Sequence, residues 1–298
     1  MGRTVHGITS FYLGEFTIAN ALFEQCRGMG NLDRTLDQMD RYRLINGRGA
    51  VLMHQAVTLA HLGHIDRARS CVDEAVARVR EHSFGAGFVS VHTGWVECVA
   101  NSPHAARRYA EQAIALANEH RYPHWLAWGT IYRGWSLTML GQPEEGLTWL
   151  TEGLSTCRAS WSGASVPFAL ILLTTAYLKL GRTGEALQCL AEAAQIIEAS
   201  DERYFEAELH RLRGEVLKTI GDRAAAEQNY HQALATAKRQ SAKTLELRAA
   251  MSMARLWRDQ GKRDEARDLL APVYGWFTEG FDTLDLKEAR ALLAELAA

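Results

Sequence analysis

Proline is scarce in this 298-residue sequence. Of the five present, Pro103, Pro123, Pro143 and Pro167 fall at expected helix starts or in loops, where a missing N–H and a fixed φ do least harm. The scarcity and the placement both favour helices. Long apolar runs are missing too: nothing approaches the about 18 residues that would cross a bilayer as a helix. The opening residues MGRTVHGITSFYLGEF lack the uninterrupted apolar stretch of a secretory signal. No membrane is therefore expected as a partner, and the expected location is cytoplasmic. A basic excess is absent, since 33 Lys and Arg stand against 35 Asp and Glu for a formal charge of −2. That balance gives no drive toward phosphate backbones, so nucleic acid is not an expected partner. The five cysteines, Cys26, Cys71, Cys98, Cys157 and Cys189, are odd in number and form no pair of metal or redox-motif spacing. Buried, reduced thiols are the reading they support.

Motifs that carry chemistry are missing as well. The Gly261-Lys262 pair has no glycine five residues upstream and is followed by Arg263, so it is a turn and not a phosphate loop. His61 and His64 bracket Gly63, which marks a helix end, so their side chains diverge and are read as surface histidines with no third ligand. His92, His104 and His231 stand alone. Ser162-Gly163 lacks the rest of a nucleophile elbow and the strand that elbow requires. Glu144-Glu145 fall in a first helical turn, where negative charge suits the helix dipole. The expectation is a protein with no catalytic residues, no metal and no cofactor.

What the sequence does have is repetition. Hydrophobic residues make up 47% and charged ones 23%, enough for a packed core throughout. A glycine followed five residues later by a small residue recurs as Gly14 with Ala19, Gly63 with Ala68, Gly141 with Gly146, Gly181 with Ala186, Gly221 with Ala226 and Gly261 with Ala266; the last four glycines are 40 residues apart. Forty before Gly141 stands Asn101, the next best residue at a left-handed helix end. Seven residues before these turns, from Gly63 onward, sits another small residue: Ala56, Gly94, Gly134, Thr174, Gly214 and Ala254. Downstream, Ala226-Tyr230-Ala233 and its equivalents repeat at the spacing of one helix face. Small residues on the facing sides of two antiparallel helices let each pair pack closely. Asp66, Thr183, Asp222 and Asp264 are expected N-caps of the second helices.

With small residues at the eighth, twentieth and twenty-seventh positions of each unit and large apolar ones between, best seen as Gly214...Gly221...Ala226...Tyr230...Ala233, the chain resembles the tetratricopeptide repeat family over nearly its whole length. The departure is a period of 40 where about 34 is usual, which implies helices longer by about a turn. HWLAWGTIYRGWSLTMLGQPEEGL (124–147), YFEAELHRLRGEVL (204–217) and residues 246–293 are similar to the C-terminal repeat region of bacterial multidomain signalling proteins that carry an AAA-type or STAND-type ATPase, sometimes with a class III adenylate or guanylate cyclase. An ATPase or cyclase partner module would lie before Met1, so the chain looks like a detached repeat region. The resemblance implies an all-α, right-handed superhelical solenoid of about seven helical hairpins over residues 1–298. Its turns are expected at Gly14, Gly63, Asn101, Gly141, Gly181, Gly221 and Gly261, an insertion within 26–46, and a capping helix at 283–298 whose Lys287, Glu288 and Arg290 face water.

In such arrays the first helix of each hairpin lines a concave groove. The positions carried over by resemblance are Phe88, Val91 and Trp95, then Trp128, Ile131 and Trp135, then Arg211, Glu215, Arg248 and Arg255 toward the C-terminus. Trp95 and Trp135 share a register 40 apart and so would be neighbours on the groove wall, although Trp125, Trp128, Tyr132 and Trp135 are also spaced as a buried stripe. Arg211 has Glu208 and Glu215 at helix-pair spacing; Arg248, Arg255 and Arg258 have no evident partner in sequence. The expected function is a non-catalytic scaffold that binds a protein or peptide, acidic and amphipathic to match the groove, within a signalling system. The alternative is a sensor that closes on a small ligand. Apolar surface at Ile8, Phe11 and Tyr12 in the first repeat is expected to permit self-association.

Overall fold

A computed structural model of the chain describes residues 2–28, 47–79, 83–159 and 165–298. Most of the expected insertion within 26–46 lies outside the described residues; Cys26 to Gly28 end a helix. Among the described residues there are fifteen α-helices and no strand. They run as seven antiparallel hairpins: α1 (Gly2–Tyr12) with α2 (Phe16–Gly28), α3 (Gly47–His61) with α4 (Ile65–Val79), and α5 (Ser83–Val99) with α6 (Pro103–His120). Next come α7 (Pro123–Met139) with α8 (Pro143–Ala159), α9 (Val166–Lys179) with α10 (Thr183–Ser200), α11 (Glu206–Thr219) with α12 (Arg223–Arg239), and α13 (Lys243–Asp259) with α14 (Arg263–Gly275). A last helix, α15 (Leu284–Ala297), stands without a pair and buries Leu286, Ala289, Leu292 and Leu296.

Each hairpin turns at a residue with positive φ. Gly141 has φ +89 with nothing within 4 Å of where a Cβ would be, so backbone conformation alone calls for glycine there; Asn101 adopts φ 51 at the equivalent point. The connections between hairpins use the same geometry without glycine, at Arg121, Asp201 and Ser241 (φ 57, 58 and 56), and the sequence reading did not anticipate these. Asp222 alone of the four expected N-caps accepts a hydrogen bond from the first turn of its own helix, from Ala225 N at 3.0 Å. Thr183, Asp66 and Asp264 lie one or two residues inside their helices, where the carboxylates of Asp66 and Asp264 act on the dipole instead.

Inside a hairpin the small residues set the spacing. A Cβ on Gly134 of α7 would lie 2.7 Å from both Gly146 O and Leu150 N of α8, and one on Gly214 of α11 would lie 2.5 Å from the Tyr230 ring of α12.

The solenoid coils tightly enough to meet itself. Thr244 Oγ1 donates to Ala60 O at 2.6 Å, and Asn101 Nδ2 donates to Asp285 Oδ1 at 2.7 Å, each across 184 residues of chain. One superhelical turn therefore closes in between four and five units. Arg203 N donates to Tyr12 O (2.7 Å), and Arg248 donates to Val99 O (2.7 Å). Arg69 grips Glu97 with two hydrogen bonds of 3.1 and 3.0 Å and reaches Asp282 at 2.9 Å. Glu279 accepts from the backbone N–H groups of Asp66 and Arg67. The C-terminal segment is thus latched to the second and third hairpins. Phe11 is consequently fully buried, with its ring 5.2 Å from that of Tyr204 and 5.5 Å from that of Trp95. The expectation that Phe11 presents apolar surface for self-association is corrected, because the next superhelical turn already covers it; Ile8 and Tyr12 are only partly buried.

Candidate functional site

The coil narrows the concave face to a lumen, and aromatic side chains cross it. Trp95 and Trp128 lie nearly parallel to Phe168 at 5.6 and 6.1 Å, Phe168 stacks on Phe205 at 4.4 Å, and Tyr204 meets Trp95 at 5.4 Å. These come from α5, α7, α9 and the segment leading into α11, the first helices of successive hairpins packed side by side; the contacts of Trp95 with Phe168 and Tyr204 reach past the units between them. The layer divides the lumen into two cavities.

One cavity, about 200 Å³, lies between the first and fourth hairpins and is lined by Tyr12, His54, Phe88, Val91, His92, Trp95, His124, Trp125, Trp128, Tyr132 and Ser165. None of these is an acidic or strongly basic side chain. His54 and His92 hold Nδ1 at 2.8 and 2.9 Å from the carbonyls of Ala50 and Phe88, one helical turn back. A carbonyl only accepts, so Nδ1 carries the proton in both rings and Nε2 keeps a lone pair. Burial depresses the His54 and His124 pKa values. Burial, then the neighbouring His54, bring His92 down to about 3. All three rings are neutral near pH 7.

The other cavity, about 160 Å³, is charged on one side. Trp135, Met139, Phe168 and Phe205 form its apolar wall, and Glu208, Arg211, Arg248, Arg255, Asp285 and Glu288 the polar one. Arg211 donates twice to Glu208 (2.8 and 2.6 Å), Arg248 to Asp285 (2.6 Å) and Arg255 to Glu288 (2.7 Å). Burial works against the Glu208 carboxylate, but the Arg211 charge overcomes it and holds its pKa below the ordinary value. Glu215, likewise opposed by burial, is brought to about 2 by Arg211 and Lys218. These groups are ionised throughout the physiological range.

Of the groove residues read from sequence, Phe88, Val91, Trp95 and Trp128 line the first cavity, and Trp135, Arg211, Arg248 and Arg255 the second. Two point elsewhere. Ile131 is fully buried against Gly153 of α8, inside its own hairpin, and Glu215 pairs with Arg211 and Lys218 without lining either cavity. The view of Arg248, Arg255 and Arg258 as unpaired is corrected. All three meet carboxylates of α15, Arg258 reaching Glu295 at 3.0 Å, because the last helix stands beside α13 as the next unit would. A further correction concerns His61, which is no surface residue: it is fully buried, stacked on Phe16 at 4.7 Å, and burial takes its pKa to about 4. Among the described residues no group of three His, Cys, Asp or Glu is placed to hold a metal ion, and no helix is long and apolar enough to cross a membrane. His54 went unnoticed, His92 was read as standing alone, and Glu288, expected to face water, pairs with Arg255; a signal existed, since His54, His92 and Tyr132 share one register, as do Glu208, Arg248 and Glu288.

The model of the tetratricopeptide repeat family matches residues 167–192 and 247–272, which span the turns of the α9–α10 and α13–α14 hairpins. These two units are tetratricopeptide repeats. The other hairpins share their turn and their close helix approach, and the tetratricopeptide-type solenoid is reproduced in known structures. A Rap protein complexed with competence and sporulation factor superposes with a TM-score of 0.69 at 14% identity, over 99% of this chain and 86% of that one. NprR in complex with its cognate peptide NprX gives 0.63 at 14%, over 99% and 82%. The STAND protein with a tetratricopeptide repeat sensor from Pyrococcus horikoshii gives 0.50 at 14%, over 94% of this chain and 46% of that one. At such identities the likeness is one of fold. Comparison with curated proteins found no significant match.

Proposed function

We propose that this tetratricopeptide-type solenoid is a regulatory scaffold, without chemistry of its own, that takes a peptide or an extended segment of a partner protein into its lumen. The observation that carries the reading is the charged cavity. Three guanidinium groups face an apolar wall headed by Trp135, Arg211 held by Glu208 and Glu215, Arg248 by Asp285 and Arg255 by Glu288, and Asp285 and Glu288 belong to α15. A peptide carboxylate or backbone carbonyl would exchange with them, and the exchange would loosen α15 from α13. Ligand uptake is thereby tied to the position of the last helix, which is what a regulator that signals to an ATPase, a cyclase or another partner module requires. That Rap and NprR structures are described as complexes with a factor and a peptide supports the reading. The balance of charge in the cavity shifts the expected ligand from an acidic peptide to one of mixed charge with an aromatic or aliphatic anchor.

Selection from a randomised peptide library, followed by fluorescence anisotropy at two salt concentrations, tests this. For a selected peptide, Trp135→Ala should cost about 2 kcal/mol or more as a lost anchor. Arg255→Ala should mainly flatten the salt dependence. Glu288→Gln, which frees Arg255, should tighten binding of acidic peptides. If Trp135→Ala lowers the melting temperature and leaves peptide affinity unchanged, the lumen is core and the binding surface lies elsewhere.

A further inference from the structure

The uncharged cavity of the first four hairpins is not needed for that reading and has chemistry of its own. Its walls offer flat faces at several angles: the Phe88 ring lies 5.8 Å from Trp125 in a T-shaped arrangement, and Trp128 lies 5.6 Å from Tyr132. His92 is 8% exposed and tilted over Phe88 at 3.9 Å, with the His54 ring 5.3 Å away. Both histidines spend their Nδ1 protons on their own helices, so each has an acceptor at Nε2, and neither Nε2 has a hydrogen-bond partner among the described residues. The matching donors are Trp95 and Trp125, 5% and 7% exposed, which both line the cavity and whose Nε1 atoms are each buried without a partner among the described residues. A buried indole N–H left unpaired costs about 1–3 kcal/mol, and nearly all such groups in folded proteins are satisfied. Two acceptors and two orphaned indole donors, all on side chains that line one aromatic cavity, form a recognition pattern that the fold does not itself use.

We propose that this cavity is a binding site for a small, uncharged, planar nitrogen heterocycle of nucleobase type, with ring N–H or amino donors for His54 and His92, a ring acceptor for Trp95, and its faces against Phe88 and Trp128. Size fits: at about 200 Å³ the cavity exceeds the roughly 150 Å³ of an engineered apolar cavity that holds benzene. Charge excludes the other classes. An anion would meet no Lys or Arg on the walls. An organic cation would be drawn to the aromatic faces but would find no carboxylate lining the site and would leave the Trp95 donor unanswered.

The test uses the unaltered chain and needs no peptide, so its failure would leave the peptide reading standing, and the reverse. Adenine and cytosine are titrated by calorimetry and by quenching of tryptophan emission, beside toluene, tetramethylammonium and benzoate. Saturable binding of a nucleobase, at least about tenfold tighter than toluene, is expected, since one neutral hydrogen bond is worth about that factor. His92→Leu and Trp95→Phe, which each delete one polar atom and keep the wall apolar or aromatic, should each weaken the nucleobase about tenfold and leave toluene unchanged. Tighter binding of tetramethylammonium or benzoate than of either base would overturn the assignment. So would the absence of saturable nucleobase binding to the unaltered chain, or an equal loss of base and toluene in both variants.

Discussion

Replacing Gly134 with alanine sets two known effects against each other. In favour of the variant, glycine inside a helix costs about 1 kcal/mol relative to alanine, and Gly134 lies mid-way along α7 with no positive φ to exploit. Against it, the new methyl would lie 2.7 Å from Gly146 O and Leu150 N, and 2.8 Å from Leu150 Cγ, where ordinary contact begins near 3.4 Å. The helices would have to part by about 0.7 Å. Two of the obstructing atoms are backbone, so no rotamer change relieves them. Overpacking of a close-packed interior costs about 1–3 kcal/mol and occasionally more; with rigid obstacles the upper end applies. The net expectation is a loss of about 2 kcal/mol, or a fall in melting temperature of about 4–8 °C at the about 2–4 °C per kcal/mol of chains this size. Gly184→Ala is the internal control: that position is also helical, and nothing lies within 4 Å of its Cβ, so it should gain a few tenths up to about 1 kcal/mol. Urea unfolding followed by circular dichroism at the helix band reads both. Equal or higher stability of Gly134→Ala would mean that close approach of the helices does not set the hairpin spacing.

Loss of Arg69 should be far more damaging than loss of its exposed partner. Arg69→Met strands the 4%-exposed Glu97 carboxylate and should cost about 3–5 kcal/mol, whereas Asp282→Asn should cost under about 1 kcal/mol; similar losses in urea unfolding would show that the latch carries the energy and not the buried pair. Stability should fall as the pH drops below about 6.5, where an unfolded histidine takes up a proton, toward about 4 for His61 and about 3 for His92. In that window the unfolded chain binds more protons than the folded one, so ΔG of unfolding rises with pH, and it is flat above pH 7 as far as these groups are concerned. Melting temperatures of the wild type and His61→Phe between pH 7.5 and 4.5 check this, and identical slopes would refute a neutral, buried His61.

The repeat was legible because its causes are local. Turn residues at 40-residue intervals and small residues seven before and five after them report one hairpin at a time, and Asn101 could be placed at φ 51 by register alone. The connections at Arg121, Asp201 and Ser241 were hidden because a polar residue in the left-handed region leaves no compositional mark. The lumen was half legible. Register put Phe88, Trp95, Trp128 and Trp135 on the inward side, but how far the coil closes is set by a small rotation per unit, accumulated over 184 residues, and no local pattern encodes that sum. Hence the rings expected on an open wall meet Phe168, Tyr204 and Phe11 across the axis, and the arginines expected to be free meet Asp285 and Glu288.

The contact between Ala60 and Thr244, and those around it, change the kind of object this array is. An open stack of repeats behaves as a one-dimensional lattice, in which each unit feels only its neighbours and melting begins at whichever end is weakest. Here the first hairpins also lean on units four to five positions further along, so neither end is a true boundary. Fraying of α15 would release Arg248, Arg255, Asn101 and the Glu279 and Asp282 contacts together, coupling the last unit to the second and third as directly as to the seventh. Shortening the chain by one repeat would then remove two interfaces, not one, and unfolding would proceed as a ring opens rather than as a zipper runs.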